Sequence, residues 1–155
     1  MIAKISKKKP PLTAEEYRKY YKICDDLPFA FTDIEMVFNE EKKAVDWIFR
    51  YGNEALATLE KLPLKKLIGS SFSSLFSNMD MKWLSGYERA TLYGETLEIV
   101  DYSPEIDRNL KIICFPTFPG HCGCILFNTD EMRYIKEGAH LAKAVVVSMK
   151  VNSTK

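Results

Sequence analysis

Histidine is scarce in this 155-residue chain, which holds only His121 and His140. Neither lies near Ser70-Ser71 or Ser73-Ser74 in sequence, so a serine nucleophile activated by a neighbouring imidazole has no local support. Glycine numbers only seven residues, and no Gly-rich phosphate loop can be assembled from them. The net charge is only +1, from 22 basic and 21 acidic residues, which gives no general case for nucleic acid or an acidic partner. No apolar run approaches the length of a membrane span, and Met1-Ile-Ala-Lys4 lacks the apolar core of a signal peptide. A cytoplasmic protein without membrane association is the expectation. The four cysteines (Cys24, Cys114, Cys122, Cys124) include no Cys-x-x-Cys pair and fall in expected secondary structure, so reduced thiols are the default.

What remains is the composition of one ordinary globular domain, 46% hydrophobic and 28% charged, long enough to bury a core without staples. Its organising stretch is Trp47 to Leu56. The aromatic and β-branched run Val45–Tyr51 reads as a strand with side chains alternating between two faces. Gly52 breaks it, and Asn53 stands where a helix N-cap is wanted, ahead of Glu54-Ala-Leu-Ala-Thr-Leu59. If capping were its whole role, Asn53→Asp would be milder than Asn53→Ala.

Around that corner the chain reads in order. Residues 1–12, with Lys4, Lys7, Lys8 and Lys9 before Pro10-Pro11, form a basic, flexible, solvated tail. Residues 13–27 form an amphipathic helix: Thr13-Ala-Glu-Glu16 matches a capping box, and Tyr17, Tyr20, Tyr21, Cys24 and Leu27 share a face. That face packs on its own sheet or on a second subunit. Phe29–Phe38 and the organising strand form a hairpin about the polar turn Asn39–Lys43. Short helical elements follow at Pro63–Gly69 and Phe72–Phe76. A longer helix is capped by Asp80 and stopped by Gly94, and three strands complete the domain at 95–102, 109–116 and 121–128. The class is α+β, with a five-stranded antiparallel sheet, short helices on one face and flanking N- and C-terminal helices.

With these elements in place, the chain resembles a PAS sensory domain over residues 28–131. The likeness rests on Tyr51-Gly-Asn-Glu-Ala-Leu56, on Leu67-Ile-Gly69 with Phe72 and Leu75-Phe76, and on Lys82-Trp83-Leu84, Tyr87 and Gly94. His121-Cys-Gly-Cys-Ile-Leu-Phe127 is similar to the family's final strand. It is most similar to the PAS domains fused to diguanylate cyclases or histidine kinases in bacterial signalling proteins. The family often closes its last strand with Asp-Ile-Thr; here the positions read Asn128-Thr129-Asp130. The resemblance implies a non-catalytic sensor that passes the state of a ligand or partner to an effector domain. Of the cofactors the family carries, flavin is disfavoured because Asn53 is followed by Glu-Ala-Leu without a cysteine. Haem is disfavoured because the long helix has no histidine, so no cofactor is expected.

A ligand cavity between helices and sheet would draw on Asn53, Leu56, Phe72, Phe76, Trp83, Tyr87, Ile112, Cys114 and Ile125; the alternative is that these residues simply fill the core. His121, Cys122, Cys124 and Cys114 hold metal-binding chemistry, but Cys122 and Cys124 point to one strand face and His121 to the other, so no metal site is expected. Glu15-Glu16, Asp25-Asp26 and Glu40-Glu41 are adjacent pairs that do not converge. Beyond the domain, residues 132–155 read as a signalling helix. Met132, Ile135, Ala139, Ala142, Val146 and Met149 recur at three and four, an a/d seam suited to a parallel homodimer. The readings from another class are a structural dimerisation module with a filled core and a small-molecule enzyme domain.

Overall fold

The computed structural model describes residues 8–77, 80–104 and 106–129. The signalling helix, with Met132, Ile135, Ala139, Ala142, Val146 and Met149, lies outside the described residues.

Five antiparallel strands form one sheet: β1 (Ala30–Phe38), β2 (Ala44–Gly52), β3 (Leu97–Ser103), β4 (Arg108–Pro116) and β5 (His121–Asn128), in the order β2-β1-β5-β4-β3. The first and last of these five strands therefore lie side by side in the sheet. Four helices cover one face, here termed inner: α2 (Glu54–Glu60), α3 (Leu64–Leu67), α4 (Phe72–Leu75) and α5 (Met81–Tyr93). Their apolar side chains meet Ile34, Met36, Trp47, Phe49, Leu110, Ile112, Cys114, Cys122, Cys124 and Leu126 in one core cluster.

The stops and caps follow local chemistry. Asn53 and Asp80 accept backbone N–H groups at the starts of α2 and α5, and Gly94 ends α5 in the left-handed region at φ 68°. The turn between β1 and β2 is built on Asn39, whose Oδ1 accepts from Glu41 N at 3.0 Å and Lys43 N at 2.9 Å.

The N-terminal segment differs from a continuous 13–27 helix. The helix α1 spans Ala14–Tyr20, Tyr21 leaves helical geometry, and a 3-10 turn runs over Lys22–Cys24. Its start is a shifted capping box: Thr13 accepts from Glu16 N at 3.1 Å, while the Glu16 carboxylate accepts from Leu12 N at 2.8 Å. The break serves burial. Tyr17 and Tyr21 enter a second apolar cluster with Phe31, Tyr51 and Phe118 on the outer face of the sheet, whereas Tyr20 remains 49% exposed. The segment packs on its own sheet, so the protein is layered as helices, sheet and N-terminal strap.

The β1–β2 register shifts twice, between Val37 and Phe38 and, under the strap, between Asp33 and Ile34. Asp33 pairs with Tyr51, but Ile34 pairs with Phe49, leaving Arg50 as an extra residue in a bulge. Trp47 and Phe49 thus face the inner core, while Tyr51 joins the outer cluster.

Candidate functional site

Two places in this frame bring chemistry together. The first is the inner face. Leu56, Phe72, Trp83, Tyr87 and Ile112 line a cavity there, together with Thr32, Trp47, Glu60 and Cys124. Its volume is only about 20 Å³. A single water needs ~10–15 Å³ on that measure, so the space suits one water and no larger ligand. Aromatic packing closes it: the Trp47 ring lies 4.4 Å from Phe72 and 5.0 Å, edge-on, from Tyr87. The indole N–H of Trp83, another lining residue, is buried without a hydrogen-bond partner among the described residues.

Not all nine expected lining residues belong to this cavity. Phe76 and Cys114 lie in the surrounding core without reaching it. Ile125 is a correction: β5 turns Cys122, Cys124 and Leu126 inward, and Ile125 packs with the outer cluster. Asn53 is a correction too, because its amide sits in the β2–α2 corner. There it is 2% exposed and makes four hydrogen bonds. Its Oδ1 accepts from Leu56 N at 3.0 Å and Phe31 N at 3.1 Å. Its Nδ2 donates to the carbonyls of Cys24 at 3.1 Å and Phe29 at 3.0 Å. Asn53 is thus a stitch joining the strap, β1 and α2 as well as a helix cap.

The three inner thiols sit in the same core, and burial pushes Cys114 up to about 12 and Cys124 well above the ordinary thiol range. His121 faces away from them. Among the described residues, no group of three or more His, Cys, Asp or Glu side chains converges to hold a metal ion.

The second place is the outer face under the strap, where Asp33, not singled out in the sequence, meets His121, Tyr17 and Tyr21, which were singled out in other roles. Asp33 is completely buried and His121 is 2% exposed. One Asp33 oxygen lies 2.9 Å from His121 Nδ1, and the other accepts the Tyr21 hydroxyl. An ionised Asp33 requires the imidazole proton on Nδ1. Tyr17 stacks against the imidazole with ring centroids 6.1 Å apart, and Phe118 meets it edge-on at 5.9 Å. The bulge supplies two further members. Tyr51 donates to Asp25 at 2.6 Å, and Arg50 Nε lies 2.9 Å from Glu35.

Burial first, then the Asp33 charge and its hydrogen bond, hold the Tyr21 hydroxyl far above its ordinary titration range, so it stays a donor. Burial and the carboxylates of Asp33 and Glu35 raise Tyr17 likewise; burial and the Asp25 hydrogen bond raise Tyr51. With both carboxylate oxygens of Asp33 engaged and the imidazole covered by two rings, this arrangement is a clasp for the strap. It offers no surface on which a substrate could meet the imidazole.

The chain as a whole matches no protein-family model and no curated protein. Among the described residues no helix is long and apolar enough to cross a membrane.

Proposed function

We propose that the chain is a non-catalytic sensory module of the PAS type, acting in the cytoplasm of a bacterial cell and relaying the state of a ligand or partner through its flanking helices to an effector domain. The five-stranded antiparallel sheet with short helices on one face is compatible with that fold. The observation that carries the reading is the strap. It is held to the sheet by buried directional bonds, Tyr21 to Asp33, Tyr51 to Asp25 and Asn53 to the Cys24 carbonyl, as well as by apolar contact. Directional bonds of this kind make docked and undocked strap discrete states, and an input that favours one shifts the population of the other. The a/d seam from Met132 to Met149 would carry the change into a parallel homodimer, and a diguanylate cyclase or histidine kinase domain fits as effector.

A second reading, a structural dimerisation module with a filled core, is favoured by one observation: a cavity of about 20 Å³ leaves room for a water only. Mass spectrometry of the protein released from native conditions separates the two. A stoichiometric co-purifying small molecule supports sensing within the fold. Its absence, together with hydrogen exchange of residues 14–24 that no partner or effector domain alters, supports the structural reading. Replacing Ile135 and Val146 with lysine should yield a folded monomer in sedimentation; an unchanged dimer would remove the seam from either reading.

A further inference from the structure

The strap, the bulge and α3 enclose a groove of about 280 Å³, lined by Ala14, Arg18, Arg50, Tyr51, Gly52, Leu64, Lys65 and Ile68. Every ionisable side chain at its rim other than the buried Tyr51 is cationic, in a chain whose net charge is +1. Each cation comes from a different element: Arg18 from α1, Arg50 from β2 and Lys65 from α3. Glu35 takes Arg50 Nε at 2.9 Å, which fixes the guanidinium and leaves its terminal nitrogens without a protein partner among the described residues. Arg18 and Lys65 are exposed and enter no ion pair among the described residues. The floor is apolar: Leu64 and Ile68 stand one helical turn apart, and Gly52 brings the β2 backbone to the surface of the groove.

We propose that this groove is a binding site for a small organic anion, a phosphate monoester on an apolar body. Two guanidinium groups and an ammonium suit a tetrahedral dianion, because guanidinium forks pair with phosphate oxygens at two points while lysine adds a movable charge. The apolar floor takes the body of the ligand. The site spans the strap and the domain, so occupancy ties α1 to β2 and α3 and slows strap opening by linkage. It lies at the β2 edge of the sheet, between the strap and α3, and shares no lining residue with the inner cavity; it stands or falls independently of the sensory reading.

Titration of the full chain with phenyl phosphate, inorganic phosphate and phenol, followed by ¹H–¹⁵N spectra, tests it. The expected result is saturable 1:1 binding of phenyl phosphate that perturbs the Gly52 and Ile68 amides. Inorganic phosphate should bind more weakly and phenol not measurably. Arg18→Ala and Lys65→Ala, both at exposed positions, should each weaken phenyl phosphate roughly fivefold. Lys43→Ala, in the distant β1–β2 turn, should leave it unchanged, and hydrogen exchange at Tyr17 and Arg18 should slow on binding. Phenol binding as well as phenyl phosphate, no saturable shift at the groove amides, or equal affinity in the Arg18 and Lys65 variants would each overturn the proposal.

Discussion

Replacing Asn53 by aspartate should be at least as damaging as replacing it by alanine, against the simple logic of helix capping. A cap alone is worth about 0.5–2 kcal/mol, and aspartate caps as well as asparagine. The amide here does more. Asn53→Ala would leave the Phe31 N–H and the Phe29 carbonyl without the partners they have at 3.1 and 3.0 Å. Leu56 N keeps the Asn53 carbonyl at 3.1 Å, and the Cys24 carbonyl keeps Leu27 N at 3.3 Å, so these two are only partly orphaned. At ~1–3 kcal/mol for each buried group left unsatisfied, the alanine variant should lose about 3 kcal/mol. Asn53→Asp keeps both accepting bonds but sets an oxygen against two carbonyl oxygens at the distances where Nδ2 now donates. The new carboxyl would be driven to hold its proton, so its folded pKa would rise above the unfolded value of about 3.9. A raised acid destabilises when ionised: the cost is full above the folded pKa and is relieved as pH falls through it. Urea denaturation at pH 7 and pH 5 measures this. The aspartate variant should lose about 3 kcal/mol or more at pH 7 and recover part of it at pH 5 relative to wild type. An aspartate variant as stable as wild type at pH 7 would refute the four-bond account and return Asn53 to a cap.

Tyr21→Phe removes the donor from the buried Asp33 carboxylate and should cost about 1.5–3 kcal/mol, with hydrogen exchange rising first over residues 14–24; uniform loss of protection across the sheet would contradict a local clasp. Under native conditions a thiol reagent should label Cys24, the half-buried cysteine, well before the three buried ones; rapid labelling of Cys114 would contradict the packing of the inner core. At the start of α5, hydrogen bonds from the Lys82 backbone and side chain lower Asp80, and those from the Tyr102 backbone and Lys82 lower Asp101. Their contribution is therefore present above the ordinary carboxylate range and lost as pH falls through the lowered values, and the acid limb of the melting curve should flatten in Asp80→Asn.

The elements with strong punctuation were legible in the sequence. Asn53, Asp80, Gly94 and the Asn39 turn stand where the structure uses them, because caps and stops are set by the residue itself and a few neighbours. The face assignments along β5 were legible for the thiols and His121 and were misapplied to Ile125, which shares its parity with His121. The outer clasp was not legible, for a physical reason. Strict alternation would send Tyr51 inward with Trp47 and Phe49, and only the extra residue at Arg50 reverses it. Asp33 reads as a solvated residue in a strand until α1 is laid over it. His121 is 88 residues away in the chain, and their pairing comes from β1 and β5 being neighbours. The one signal available was polar: β1 sets Thr32, Asp33 and Glu35 among apolar residues, and a carboxylate in such a strand is a candidate for a buried partner.

A domain boundary drawn at Pro28, where the recognisable pattern starts, would cut through a shared interior. Trimming the first 27 residues exposes Phe31, Tyr51 and Phe118 together, strips Asp33 of its tyrosine donor and takes the Cys24 acceptor from Asn53. A recombinant product beginning there would present a sticky aromatic face beside a half-satisfied acid. Aggregation of such a fragment would report on the missing strap and say nothing about the fold's intrinsic worth. Fusions and chimaeras that graft this sheet onto another output should carry residue 13 onward as part of the same piece.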